Sequence, residues 1–151
     1  MYERVINEQN GSQTMGRFSV EMEVANYADV MMARAKKMPV GKIRKLTLAG
    51  VVDPGATRLV LPLAAANQLG LEVTAKTKVK YADGRRTVRD EVEGAYVTIQ
   101  GRSGDFKAII EPRRDTALIG AIVLEDLDFL VDCQKHRLVP RDPDFVVSEI
   151  E

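Results

Sequence analysis

The sequence predicts an all-β domain folded as a closed or partly closed barrel. Residues 17–24 alternate between polar and apolar side chains, which is the period of a half-buried strand. Two turn sequences, Asp83-Gly84 and Gly101-Arg102-Ser103-Gly104, each join segments of strand character, and Asp-Gly is a strong hairpin signal. Helical patterns are few and short. Eight or so short strands with two small helices are therefore expected in one domain.

Helical segments interrupt this pattern at three places. Residues 26–41 have a mixed pattern, which fits a short helix or an irregular crossing. Pro62 and Gly70 frame a short helix, since proline favours the first helical turn and glycine favours the position just past the last one. One or two helical turns are expected over residues 122–127. The remaining strand segments are residues 42–52, 58–61, 76–82, 85–89, 92–100, 105–110, 117–119, 129–132 and 137–139.

Composition excludes several classes of function. The chain has 151 residues, of which 45% are apolar and 29% charged, and its 22 basic residues equal its 22 acidic ones. A zero net charge argues against a nucleic-acid partner, which would favour a basic excess. No apolar run is long enough for a membrane span, and the first ten residues lack the apolar core of a signal peptide. A cytoplasmic protein without a membrane or nucleic-acid partner is expected.

The predicted domain covers residues 15–141, with a flexible N-terminal tail at 1–14 and a C-terminal tail at 142–151. Cys133 is the only cysteine, which excludes an intrachain disulfide and a cysteine-based metal site. His136 is the only histidine, so any Ser-His-Asp or Cys-His mechanism would have to use it.

The most informative turn of the chain contains Asp53. The sequence Asp53-Pro54-Gly55-Ala56-Thr57 follows the apolar segment 46–52 and precedes another apolar segment at 58–61. Asp, Pro and Gly are favoured turn residues, so the triplet alone needs no function. A carboxylate placed between two apolar strands, however, is usually paired, hydrogen-bonded or functional.

Residues 51–62 resemble the active-site loop of the retropepsin-like aspartic proteases, whose usual form is Asp-Thr/Ser-Gly-Ala. The short helix that ends at Gln68-Leu69-Gly70-Leu71 strengthens the resemblance, which is greatest to the bacterial single-domain type. In this chain the motif has an Asp-Pro-Gly variant.

Two further elements of that family occur in the same order. Residues 117–121, followed by Leu124-Glu125-Asp126-Leu127, are similar to its second signature, in which two apolar residues and a glycine lie beneath the active-site loop. Residues 81–85 fall where the family has its flap hairpin. The resemblance covers residues 16–141.

The resemblance implies the acid-protease fold with one lobe per chain, and a mechanism. Aspartic proteases need two carboxylates about 3 Å apart that share one proton. This chain has one such loop and no internal repeat, so a homodimer would place Asp53 of each subunit at the axis. The implied substrate is a peptide or unfolded protein, and neither a metal nor another cofactor is required.

The same resemblance assigns the other site residues. The active-site loop would be completed by Pro54, Gly55, Ala56 and Thr57, the flap would be Tyr81, Ala82, Asp83, Gly84 and Arg85, and the supporting residues would be Leu118, Ile119 and Gly120. The N–H groups of Gly55 and Ala56 are expected to orient the carboxylates of the pair.

Pro54 leaves two functions open. In the family, the residue at this position braces the two loops across the dimer axis through a hydroxyl and an N–H group, and proline has neither. The first hypothesis is an aspartic endopeptidase, which the other loop and support residues favour. The second is a weak or inactive dimer that binds peptides or proteins, for which adding a strand to a sheet needs no chemistry.

Overall fold

The computed structural model describes residues 17–151, so the predicted tail at 1–14 lies outside the described residues. Within them the chain forms nine strands, three short α-helices and a 3-10 turn at Val40–Lys42. The strands are β1 Phe18–Asn26, β2 Lys45–Val52, β3 Leu59–Pro62, β4 Val73–Lys80, β5 Arg86–Ile99, β6 Arg102–Glu111, β7 Ala117–Ile119, β8 Phe129–Asp132 and β9 Arg137–Pro140. The helices are α1 Tyr27–Arg34, α2 Leu63–Leu69 and α3 Ala121–Asp126.

Six strands close into a barrel. Their order is β1-β2-β7-β3-β6-β5, and β5 pairs back onto β1 where residues 23–26 face residues 95–98. β4 extends the sheet beyond β5, and β8 and β9 form a separate two-stranded sheet. The prediction of an all-β closed barrel with short helices is confirmed.

The position of β7 between β2 and β3 sets up the candidate site. β7 runs parallel to β2 and antiparallel to β3. The chain therefore leaves β2 on one side of β7 and re-enters the barrel as β3 on the other side. The connection between them, residues 53–58, must cross the end of β7.

The alternation predicted for β1 is observed. Phe18, Met22 and Val24 are buried, whereas Ser19 and Glu21 are exposed. The inward residues join a core that holds the largest fully buried side chains, among them Leu59, Leu61, Leu69, Ile99, Ile119 and Leu127. Burying such side chains contributes about 1.5–3 kcal/mol each, so the barrel interior is the main source of stability.

Several predicted element boundaries differ from the structure, among them that of β4, which covers Val73–Lys80 rather than residues 76–82. β2 begins at Lys45 rather than at residue 42, because the 3-10 turn places the Lys42 N–H on the Pro39 carbonyl at 3.0 Å. The segments 85–89 and 92–100 form one strand, β5, and a bulge with Gly94 at φ 80° absorbs the change in register. The next turn is Gln100-Gly101 rather than 101–104, since both residues have positive φ, as a two-residue hairpin turn requires.

The helices keep close to their predicted places. α2 ends at Leu69 and is capped by Gly70, whose φ of 67° is the left-handed conformation that glycine adopts without strain. Pro62 is the last residue of β3 and precedes the first helical residue, instead of being the first helical residue itself. The mixed segment at 26–41 contains α1, and Asn26 caps it by accepting the Asp29 N–H at 3.0 Å.

Part of the segment predicted as a C-terminal tail contacts the barrel. The Arg102 guanidinium donates to the carbonyls of Asp142 and Phe145, and the Val147 N–H donates to the Asp128 carboxylate at 3.0 Å. Residues 142–147 therefore lie against the end of the barrel near β8. Between residues 17 and 151, no helix combines the length and the apolar character that crossing a membrane requires.

Asp29 ties α1 to the chain just before β2. Its buried carboxylate accepts hydrogen bonds from the Arg44 backbone N–H, Nε and Nη2 at 3.0, 2.8 and 3.0 Å. The hydrogen bonds from the Arg44 side chain lower the pKa of Asp29 below its ordinary value, and burial opposes them. The ionised carboxylate thus stabilises the fold.

Asp29→Asn is expected to lower Tm at pH 7 by roughly 3–8 °C. Because the folded-state pKa of Asp29 is lowered, the difference from the native chain should be complete above about pH 5 and should vanish as the pH falls through the folded pKa. Thermal unfolding of the native chain and of Asp29→Asn from pH 3 to pH 7 measures this difference in Tm. Exposed Asp115→Asn serves as control, and a difference independent of pH would contradict the assignment.

Candidate active site

The loop that carries Asp53 is fixed to the end of β7 and the start of α3 by backbone hydrogen bonds. The Asp53 N–H donates to the Ile119 carbonyl at 3.0 Å. The Ala121 N–H donates to the Ala56 carbonyl at 2.8 Å, and the Ile122 N–H donates to the Thr57 carbonyl at 3.0 Å. The structure therefore brings together the two sequence segments that resemble the family signatures.

Gly120 allows this close approach. A Cβ atom at this position would lie 2.5 Å from the Arg58 carbonyl oxygen, 2.8 Å from the Thr57 carbonyl carbon and 2.9 Å from the Ala56 carbonyl oxygen. All three are backbone atoms, so no side chain can rotate away to make room. The residue before it, Ile119, is fully buried and points into the core.

Both oxygens of the Asp53 carboxylate accept hydrogen bonds within the single chain. Oδ1 accepts the Gly55 N–H at 3.0 Å, and Oδ2 accepts Nη2 of Arg17 at 2.9 Å. The Ala56 N–H donates to the Asp53 backbone carbonyl at 3.1 Å and closes the turn, so in the single chain the Gly55 N–H is the one of the two expected donors that contacts the carboxylate. Pro54 has no N–H to offer.

A cavity of about 500 Å³ opens beside this loop. Its walls come from the loop, β4 and the ends of β6 and β7, with these lining residues: Gly55, Ala56, Thr57, Arg58, Val60, Thr77, Lys78, Val79, Lys80, Tyr81, Ile109, Glu111, Arg114 and Leu118. Of the predicted flap only Tyr81 lines it, and of the predicted support only Leu118 does. Four basic side chains and one acidic side chain are present, so the lining is cationic.

The predicted flap is the turn between β4 and β5. The Tyr81 N–H donates to the Arg85 carbonyl at 2.8 Å, and Gly84 adopts a φ of 89°. The Asp83 carboxylate accepts the Arg85 N–H and Nε, which closes the tip. Ala82 lies in the same turn, and it is exposed.

Tyr81 anchors this hairpin to the barrel. Its hydroxyl donates to Glu111 at the end of β6, and Arg89 Nε donates to the other carboxylate oxygen at 2.8 Å. Burial, together with the neighbouring Glu111 carboxylate, raises the pKa of Tyr81. The guanidinium of Arg85 stacks over the Tyr81 ring, 4.7 Å from its centre. The hairpin is therefore held down at the cavity edge.

Sequence reasoning missed two basic residues of the site. Arg17 and Asp53 are the residues next to the last pair of β1 and β2, Phe18 with Val52, and this position brings their side chains together. Arg114 lies in the turn before β7, where its guanidinium donates to the Thr116 carbonyl and hydroxyl. Burial lowers the pKa of Arg114. The register of β1 on β2 would have identified Arg17, but the long connection between these strands leaves that register open.

The described residues contain no group of three or more His, Cys, Asp or Glu side chains placed to hold a metal ion. The candidate site instead consists of a single carboxylate on a hydrogen-bonded loop, with a cavity and a hairpin beside that loop. Chemically, such a carboxylate can accept a proton or further hydrogen bonds. Asp53 itself is not among the residues that line the cavity, which its loop reaches through residues 55–58.

Comparison with known proteins gives a family match. A family model described as "Aspartyl protease" matches residues 40–123, more than half of the chain. The chain is also similar to the solution structure of the protease of Simian Foamy Virus (mac), with 18% identity, a TM-score of 0.45, and 71% of this chain and 91% of that chain covered. It is similar as well to EIAV protease complexed with the inhibitor HBY-793, with 16% identity and a TM-score of 0.47, and 79% of this chain and 93% of that chain are covered. No curated protein matches the chain.

Gly120→Ala is expected to displace the 53–58 loop and to destabilise the fold by about 1–3 kcal/mol, because its Cβ would meet backbone atoms. Urea unfolding measures the loss. Gly41→Ala is the matched control, since a Cβ there would have no heavy atom within 4 Å, and its stability should change by less than about 0.5 kcal/mol. Equal effects of the two substitutions would contradict the close approach.

Proposed function

Because this chain belongs to the aspartyl protease family, we propose that it is an aspartic endopeptidase whose active site forms at the axis of a homodimer. Each subunit would supply one Asp53. The observation that carries the proposal is the Asp53 carboxylate itself, which accepts the Gly55 N–H on a loop that β7 and α3 fix in place. The residues that follow it in the loop, 55–58, line a cavity. One such loop occurs in residues 17–151, so a second copy is needed for a pair.

The proposed reaction is hydrolysis by an activated water. Two Asp53 carboxylates about 3 Å apart share one proton, since both cannot be ionised at that distance. The ionised partner takes a proton from the water as the water oxygen attacks the peptide carbonyl carbon. The protonated partner donates a hydrogen bond to the carbonyl oxygen as that oxygen gains charge. The proton taken from water then passes to the peptide nitrogen as the C–N bond breaks.

The cavity supports a peptide as substrate. Val60, Val79, Ile109 and Leu118 give it an apolar wall, and β4 lies beside it as the last strand of its sheet. An extended peptide can pair with such a strand edge through its main chain while its side chains enter the cavity. The Tyr81 hairpin would cover the bound segment as the flap.

Pro54 bears on the strength of the dimer. A threonine or serine here would offer a hydroxyl and an N–H to the partner loop, and proline offers neither. The proposed dimer is therefore weaker than one with the usual loop sequence. The same feature favours the second candidate, a dimer that binds peptides without cleaving them. The experiments below separate the two.

Asp53→Asn is expected to reduce cleavage of an unfolded protein substrate by roughly 10³-fold or more, since the pair loses the group that accepts the proton from water. Initial rates from acid to neutral pH measure this. Asp144→Asn is the matched control, because that side chain is exposed and distant in sequence from the loop. Equal cleavage by the native chain and Asp53→Asn would contradict the proposal. Peptide binding without cleavage by the native chain would favour the binding module.

Pro54→Thr is expected to tighten the dimer, with a dissociation constant lowered by roughly tenfold, because each new cross-axis hydrogen bond contributes about 0.5–1.5 kcal/mol. Sedimentation over a range of concentrations measures the constant, and specific activity should fall on dilution in parallel. Pro143→Thr, at an exposed position, controls for the loss of a proline. A dissociation constant that is unchanged by Pro54→Thr would contradict loop pairing across the axis.

A further inference from the structure

We propose that Arg17 is an inhibitory latch, by which we mean a side chain that blocks the site until it moves away. In the single chain its guanidinium binds the Asp53 carboxylate, and this contact must break before the catalytic pair can form. This inference rests on the proposed function and adds a residue that regulates the same site. Arg17 lies directly before β1, so the latch comes from a different part of the chain than the loop it closes.

In the single chain, both carboxylate oxygens of Asp53 already accept a hydrogen bond. Arg17 Nη2 lies 2.9 Å from Oδ2, and the Gly55 N–H lies 3.0 Å from Oδ1. The Asp53 side chain is only 16% exposed, so little of it remains for another ligand. Gly55 belongs to the loop itself and remains there in any assembly. Arg17 is the partner that can be exchanged.

The chemistry of the pair requires this exchange. In the proposed reaction, the two oxygens of Asp53 must accept a proton from water and share a proton with the partner carboxylate. A guanidinium only donates hydrogen bonds and does not give up its proton in proteins, so it cannot relay either proton. While Arg17 donates to Oδ2, this oxygen is bound by a side chain that takes part in neither proton transfer, and on the proposed mechanism the water or the second carboxylate has to replace it.

Arg17 is free to move, whereas the nearby Arg114 is not. The Arg17 side chain is 47% exposed and precedes the first residue of β1, so it can rotate away without breaking the barrel. The Arg114 guanidinium donates to Thr116 and is partly buried. The positive charge of Arg17 also disfavours the charged form of Arg114, so its pKa is lowered in part by that repulsion. When the Arg17 side chain rotates away from Asp53, this repulsion is relieved. Arg114 stays in place, near enough to Asp53 for their charges to interact.

The first test examines the contact without relying on proteolysis. Urea unfolding of the native chain, Arg17→Gln, Asp53→Asn and the double variant is compared at a dilution where sedimentation shows single chains. Arg17→Gln is expected to lower the urea midpoint by roughly 0.2–0.5 M when Asp53 is present and to leave it unchanged in the Asp53→Asn background. Equal shifts in both backgrounds would overturn the latch, because Arg17 would then not be coupled to Asp53.

The second test examines the consequence of the contact. Arg17→Gln is expected to lower the dimer dissociation constant by roughly threefold to tenfold and to raise specific activity at low protein concentration, with activities converging at high concentration. Arg17→Lys keeps a cation and should stay closer to the native chain. Arg113→Gln, exposed in the turn that carries Arg114, removes the same charge and should change neither quantity.

The outcomes separate the latch from the proposed function. A weaker dimer or lower activity in Arg17→Gln would overturn the latch, since Arg17 would then belong to the working site. If neither chain cleaves any substrate, the endopeptidase proposal fails. The latch is then still judged by the dissociation constant and the urea midpoints: coupling to Asp53 with a tighter Arg17→Gln dimer supports it, and an unchanged dimer overturns it.

Discussion

The crossing of the 53–58 connection over the end of β7 is the constraint on which the site depends. β7 pairs with β2 on one side and β3 on the other, so the loop cannot avoid it. At Gly120 the two backbones are so close that a single added carbon would overlap a carbonyl oxygen. The hydrogen bonds around this contact fix the direction in which Asp53 leaves its strand. A carboxylate on a rigid backbone loses little freedom when it acts, which is what a preorganised site requires.

The sequence predicted correctly those features of the fold that depend on residues close together in the chain. The alternation in β1, the Asp83-Gly84 hairpin and the end of α2 at Gly70 all depend on neighbours within a few residues, and all are observed. The family resemblance is confirmed by the match over residues 40–123. The pairing of β1 with β5 and the contact of Arg17 with Asp53 depend on strands that are distant in sequence. No turn residue fixes such a register, so sequence reasoning could not reach them.

Charge is distributed unevenly in a chain whose net charge is zero. Arg58, Lys78, Lys80 and Arg114 line the cavity beside Asp53, and Glu111 is the one acidic residue among its lining. Glu111 already accepts hydrogen bonds from Tyr81 and Arg89, so its charge serves to hold the hairpin. The cavity lining is therefore predominantly basic, and Glu91, 3.8 Å from Arg58, offsets part of that charge. Overall composition gave no indication of this local excess, because the net charge is a sum over the whole chain.

If the chain dimerises as proposed, Pro54 and Arg17 both affect the equilibrium between separate chains and the dimer. Proline removes the groups that would hold one loop to its partner, which weakens the assembled state. Arg17 supplies the Asp53 carboxylate with a hydrogen bond in the separated state, which stabilises the single chain relative to the pair. A hydrogen bond that must be broken on assembly makes association less favourable. The absence of a hydrogen bond between the two loops in the dimer has the same effect. On the proposed mechanism, both features thus favour separate chains over the dimer. Dimer formation, rather than the chemistry of the pair, would then determine when this site is active.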